Sequence, residues 1–226
     1  MERNVSMEEL KRQYSASDMV KADCGGCKDC CDCCCGMGDS IVLDPLDVQR
    51  LADGLHSKFQ DLLYKKMDLH VEKGLILPHL KMEGEQERCT FLNQEGRCSI
   101  HSFRPGFCRL FPLGRIYENG SFRYFLQLHE CKKTNRSKVK ISKWLDTPDL
   151  KRYEAFVNSW HYFLKDTQEL LEEKQDEQLS KELSLYILNR FYTTPFDLNG
   201  DFYAQFQERM EQMKKLMKVL ANASEK

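Results

Sequence analysis

No stretch of this chain stays apolar for the ~18 residues that a membrane-crossing helix needs. Its first twenty residues are polar and charged, without the basic start and apolar core of a signal peptide. Charge of one sign is also scarce: 34 basic side chains stand against 35 acidic ones, a formal net charge of -1. That balance gives neither a nucleic-acid footprint nor an acidic tail. No glycine-rich nucleotide fingerprint follows a strand, no internal repeat is visible, and nothing supports a catalytic triad. A cytosolic, reduced protein is expected, with no membrane and no nucleic-acid partner.

What the chain does have is cysteine. Seven of its eleven cysteines (Cys24, Cys27, Cys30, Cys31, Cys33, Cys34 and Cys35) fall within twelve residues. Neighbours so close in sequence rarely reach the Cα and Cβ separations of a disulfide, and an odd total argues against a complete disulfide framework. Thiolates from one short loop can instead converge on a soft metal centre. At 226 residues, 41% of them hydrophobic, the chain can bury a real core as one large domain or two small ones.

The expected class is α+β: a loop-rich metal domain with short β-hairpins, followed by a mainly helical half. Residues 1–20 read as a mobile or weakly helical leader, 21–135 as the cysteine-cluster domain, and 136–226 as a helical region packing on it. Gly36 and Gly38 suit backbone that bends around a metal. Ser40–Leu43 is β-prone, and Asp44-Pro45 opens a helix whose apolar face runs Leu46, Leu51, Leu55, Phe59, Leu62 and Leu63, weakened or ended in its first part at Gly54. Leu75-Ile76-Leu77 reads as extended and 83–88 as a solvated loop. A tight hairpin is expected around Asn93–Gly96, and a second around Asn119-Gly120. Leu150, Tyr153, Phe156, Val157, Trp160, Phe163 and Leu164 keep helical rhythm. Further helices are expected over about 177–192 and from Phe202 through Leu220. Their methionine-rich faces are core packing first, but also a surface through which a protein partner could dock. The basic residues of Lys132–Lys143 read as a solvated face.

The loop at 24–35 can be read in two registers. Cys27-x2-Cys30-x2-Cys33-Cys34 is one. Cys24-x2-Cys27-x2-Cys30-x3-Cys34 is the other, with the spacing of a bacterial [4Fe–4S] ferredoxin run whose usual proline is replaced by Cys35. Downstream, Cys89, Cys98, Cys108 and Cys131 can supply further thiolates. His101 and His129 lie near them, but read more simply as surface or hydrogen-bonded histidines. Arg104 and Arg109 flank Cys108; Arg109 is assigned as the cation that balances a negatively charged thiolate centre.

Taken together, Cys27-x2-Cys30-x2-Cys33-Cys34, Cys89-x-Phe91-Leu92, Gly96-x-Cys98-x-Ile100 and Arg104-Pro105-x-x-Cys108-Arg109-x-Phe111-Pro112 resemble the YkgJ-type cysteine-cluster family, a zinc- or iron-chelating domain with the CxxCxxCC motif. The resemblance covers about residues 24–131. It implies chelation by Cys27, Cys30, Cys33, Cys34, Cys89, Cys98 and Cys108, and leaves Cys24, Cys31 and Cys35 as extras. It implies no established activity. A similar cluster occurs in flagellin lysine methylases, an analogy only.

A compact loop giving three or four ligands favours an iron–sulfur cluster over zinc as the cofactor. The leading expectation is a metal- or cluster-binding protein with a structural or electron-carrying centre. An iron–sulfur-dependent transferase or modification enzyme, and a zinc- or iron-handling factor, remain alternatives. The small-molecule substrate, if there is one, is not legible.

Overall fold

The computed structural model describes residues 6–25, 30–133 and 135–222. It is α+β, with short antiparallel strand pairs in the first half and long helices in the second. In chain order the elements are α1 (Met7–Lys11), β1 (Gln13–Tyr14), β2 (Met19–Asp23), α2 (Pro45–Gly54), α3 (Phe59–Lys65), β3 (Met67–Glu72), β4 (Leu75–Leu80), β5 (Met82–Glu83), β6 (Arg88–Cys89), α4 (Gly106–Leu110), β7 (Leu113–Glu118), β8 (Ser121–Leu126), β9 (Ser137–Lys140), α5 (Ile141–Leu145), α6 (Leu150–Lys174), α7 (Glu177–Leu188) and α8 (Phe202–Asn222). Single 3-10 turns lie at Asp32–Cys34 and His101–Phe103, and a π-helical turn follows α7 at Asn189–Thr193.

Helix α2 starts where its capping chemistry directs. The Asp44 carboxylate accepts from the Asp47 N–H, the Asp47 carboxylate accepts from the Asp44 N–H, and Pro45 fills the first turn. The apolar face expected to run on through Leu63 is split into two helices. α2 ends at Gly54, where an added Cβ would lie only 2.7 Å from the Phe103 ring. α3 resumes at Phe59.

The ribbon of β3 and β4 pairs Met67 with Leu80 and Glu72 with Leu75. The stretch 41–43 lies along the outer edge of β4: the Leu43 N–H donates to the Pro78 carbonyl and the Leu80 N–H to that of Ile41. β7 and β8 form the hairpin predicted at Asn119-Gly120, both residues having positive φ (50° and 76°) as a type I′ turn requires.

The leader holds the short helix α1, and Lys132, Lys138, Lys140 and Lys143 are exposed, in keeping with the sequence, but both segments also contribute strands that the sequence did not announce. β1 joins the edge of β8, and β2 pairs with β9, so that Val20 sits opposite Val139. A second small core forms there from Val20, Ala22, Leu110, Leu113, Tyr124, Ile141 and Leu145. Part of the basic run is therefore a strand pairing backbone groups, with its lysines on the solvent side. The solvated loop at 83–88 is a turn between β5 and β6 and is exposed as expected.

The larger core spans both halves. Leu43, Leu51, Met67 and Leu75 pack in one cluster with Phe156, Trp160, Phe163, Phe191, Phe206 and Met210. Trp160 meets Phe191 edge-on at 4.9 Å, and Phe156 meets Phe206 at 4.6 Å, an arrangement that favours aromatic quadrupoles. Polar ties cross the same junction. The Ser184 hydroxyl accepts from the Ile76 N–H at 2.9 Å and donates to the Gly74 carbonyl, while the Tyr192 hydroxyl donates to the Leu43 carbonyl at 3.0 Å. The helical half thus supports β4 and the segment beside it, which form one wall of the site.

Candidate metal centre

The cysteine loop is held by its glycines and by the turn between β5 and β6. Gly36 and Gly38 adopt positive φ (67° and 52°), a region open to glycine at little cost. The Gly36 N–H donates to the carbonyls of Gln86 and Glu87, and the Gly38 N–H to the Glu87 carboxylate at 3.0 Å. Cys35 also bridges to Arg88. These bonds lay the 30–38 segment against the strand that leads into Cys89.

On the other side, Asn93 and Gly96 make the predicted turn. The Asn93 N–H donates to the Arg97 carbonyl, Gly96 has φ 69°, and Leu92 bridges to Cys98. The expected hairpin is a tight turn closed by a single bridge rather than a pair of strands. Cys108 arrives on α4. The first N–H of that helix, on Gly106, donates to the buried Asp47 carboxylate at 2.7 Å. Gly106 admits no side chain, since a Cβ there would overlap the Tyr153 hydroxyl.

These elements enclose a cavity of about 110 Å³ whose walls include Cys30, Cys33, Cys34, Cys89, Cys98 and Cys108. The other main lining groups are Met37, Ile41, Leu80, Phe91, Ile100, Phe107 and Phe111. Six of the seven expected ligands therefore face one space, although Cys98 and Cys108 lie more than sixty residues from the loop in sequence. The seventh, Cys27, lies outside the described residues. Cys24, Cys31, Cys35 and Cys131 are not among the lining residues; Cys31 and Cys35 face each other, their sulfurs 4.0 Å apart. As placed, no three Cys, His, Asp or Glu side chains among the described residues stand close enough to hold an ion, so ligation requires the thiols to close inward.

The electrostatics of the cavity follow from crowding thiols in an apolar space. The Cys33 and Cys34 sulfurs lie 4.0 Å apart, within reach of a weak thiol hydrogen bond. A hydrogen bond from the Cys34 thiol to Cys33 lowers Cys33 below the usual thiol range, while the same bond, burial and the nearby Cys108 and Cys89 push Cys34 up. Burial likewise raises Cys89, Cys98 and Cys108. The group resists becoming several thiolates together unless a cation compensates. Arg97 and Arg104 also line the cavity. The Arg104 Nε–H is buried without a hydrogen-bond partner, a donor that a thiolate or sulfide centre would satisfy. This donor set fits a thiophilic metal or an iron–sulfur cluster.

Arg109 stands elsewhere. Its guanidinium donates to the carbonyls of Ser102, Arg104 and Asp146, is buried, and is not among the lining residues. It clamps the 102–104 segment to the end of α5. The arginines at the cavity are Arg97 and Arg104; adjacency to Cys98 was the only sequence signal for Arg97. His101 reaches the rim, but its Nε2 accepts from Arg104 Nη1 at 2.6 Å, which commits that lone pair. His129 is exposed and does not line the cavity.

An α+β scaffold gathering six cysteines from separated segments around one cavity defines a cysteine-cluster metal-binding protein. The chain belongs to the CxxCxxCC family, described as "Putative zinc- or iron-chelating domain", which matches residues 23–143, more than half of its length. No curated protein and no solved structure matches it. Among the described residues no helix is long and apolar enough to cross a membrane.

Proposed function

We propose that this chain is a cytosolic iron–sulfur protein, its cluster held in the cavity by thiolates drawn from Cys27, Cys30, Cys33, Cys34, Cys89, Cys98 and Cys108. The observation that carries this reading is the convergence of six described cysteines on one space of about 110 Å³. That is several times the roughly 10–15 Å³ that admits one water, and six thiols exceed the four that a lone tetrahedral ion takes. The loop at 30–34 gives three of these ligands, as compact iron–sulfur loops do. Arg104 would donate to the centre from the wall. The apolar residues Met37, Phe91, Phe107 and Phe111 would screen it from water and so tune its potential. A bound cluster supplies one-electron chemistry and cross-links segments that are distant in sequence; the protein's part is to collect the thiols, offset their charge and exclude solvent.

The test is metal analysis with acid-labile sulfide and an optical spectrum, on protein purified without air. Iron and sulfide in equal amounts, with broad visible absorption that bleaches on reduction, is the expected result. A colourless protein carrying one or two zinc ions would overturn the cluster reading and leave the same cysteines as a zinc site.

A further inference from the structure

A second group of metal-ligating side chains stands on the opposite side of β4 from the cysteine cavity. Successive residues of a strand point to opposite faces: Leu80 lines the cavity, while His79 points away into a group formed by His70, Glu72 and Asp39. His79 is fully buried, and its Nδ1 is hydrogen-bonded to the Asp39 carbonyl. A carbonyl only accepts, so that nitrogen carries the proton, and the neutral ring presents the lone pair of Nε2. This is how a second-shell carbonyl orients a metal-binding histidine.

That Nε2 has no hydrogen-bond partner, although it is buried. The nearest carboxylate oxygen, Glu72 Oε1, lies at 3.8 Å, and His70 Nδ1 lies 3.9 Å from Asp39 Oδ2. Both separations are too long for a hydrogen bond, which runs about 2.7–3.2 Å. They are close to the roughly 3.3–3.6 Å between two N or O donors that share one tetrahedral ion at 2.0–2.2 Å. The two imidazoles lie side by side at a tilt of 51°, with ring centres 4.7 Å apart. They are diagonal neighbours on the paired strands, since Asp68 lies opposite His79 and His70 opposite Leu77. Glu72, His70 and Asp39 are each only about half-buried, at 35%, 40% and 45% side-chain exposure, so an ion could reach the buried nitrogen from solvent.

We propose that His79, His70, Glu72 and Asp39 form a second metal site, for one divalent cation of the zinc class, separate from the cysteine centre. As placed, no three of them stand close enough to hold an ion, so His70 and the two carboxylates, all partly exposed, close on the fixed Nε2 of His79 when it binds. Two imidazoles and two carboxylates make a borderline N and O donor set that suits zinc, unlike the thiolate set across the strand. The site would tie the β3–β4 ribbon to the segment leaving the cysteine loop, because Asp39 follows Gly38 directly.

The experiment is anaerobic cobalt(II) titration of the metal-free full chain and of the His70→Gln/Glu72→Gln double variant, which leaves the buried His79 in place, with circular dichroism to confirm that both are folded. The wild type is expected to bind one more cobalt per chain than the variant. The difference spectrum should show weak visible bands without near-ultraviolet sulfur-to-cobalt charge transfer. Equal uptake by both proteins, or an extra equivalent that carries the sulfur band, would overturn the proposal. If the sulfur bands are missing from both proteins while the one-equivalent difference persists, the cysteine reading fails and this one stands.

Discussion

The buried carboxylate of Asp47 accepts a 2.7 Å hydrogen bond from the backbone N–H of Gly106, joining the start of the helix after the cysteine loop to the start of the helix that carries Cys108. One side chain thus closes its own helix's capping box and fixes the start of the helix that carries Cys108, a candidate ligand just over sixty residues away. Asp47→Ala leaves the Gly106 N–H buried and unpaired and opens the box. The expected cost is about 2–3 kcal/mol in chemical denaturation, with weakened metal retention. Asp47→Asn keeps an acceptor in place and should lose less of both. Equal behaviour of the two variants would mean that the bond does not position Cys108.

Arg109 and Arg104 should separate cleanly. Arg109 is committed to three backbone carbonyls, so Arg109→Met is expected to lower stability by about 2–3 kcal/mol while the folded protein still binds metal. Arg104→Gln removes a positive charge and a buried donor from the cavity wall. It should leave the melting temperature nearly unchanged and weaken metal binding by about tenfold or more, as loss of second-shell partners commonly does. Competition with a chromophoric chelator reads the second effect, and thermal denaturation the first.

The cysteines divide by where they point. Serine at Cys89, Cys98 or Cys108 should strip the bound metal or leave a visibly altered centre. Serine at Cys31, Cys35 or Cys131 should leave both metal content and spectrum intact, since these thiols do not line the cavity. Metal per chain, measured on each purified variant, decides. Loss of the metal in Cys24→Ser together with its retention in Cys33→Ser would favour the other register of the loop.

Stability should also carry a pH signature from the helical half. His161 stacks on Tyr117 with ring centres 3.5 Å apart. Burial, with Lys165 nearby, holds its pKa below the ordinary 6.5. The unfolded chain then takes up a proton on this residue before the folded one does. The stabilising contribution is complete above about pH 6.5 and is lost as pH falls from there toward the depressed folded value. His161→Phe preserves the stacking and should make the fall in melting temperature between pH 7 and 5 shallower. Some slope should remain, because burial also depresses His79 and His101. An unchanged slope would mean that His161 takes up its proton at the same pH in the folded and unfolded chains.

Much of this architecture was legible in the sequence where local chemistry decides structure. Asp44-Pro45 opened a helix, Asn119-Gly120 made a hairpin, and the aromatic rhythm from Leu150 became one face of α6, because capping, positive φ and apolar periodicity act over a few residues. β1 and β2 were not legible: a two-residue strand and the short Met19–Asp23 run gain their order from partners more than a hundred residues away. The same limit holds at the site. The thiol clusters announced themselves by spacing. The turning of Arg109 away from its neighbour Cys108 depends on three carbonyls that no local pattern specifies, and His70 and His79 read as unrelated residues until the strands pair.

The most direct measurement is X-ray absorption at the iron edge on protein purified without air. The account predicts a first shell made only of sulfur, with a second shell of iron scatterers, as expected if the proposed cluster is held by the cysteine thiols. A first shell of nitrogen and oxygen, or an absence of iron from the protein, would contradict it.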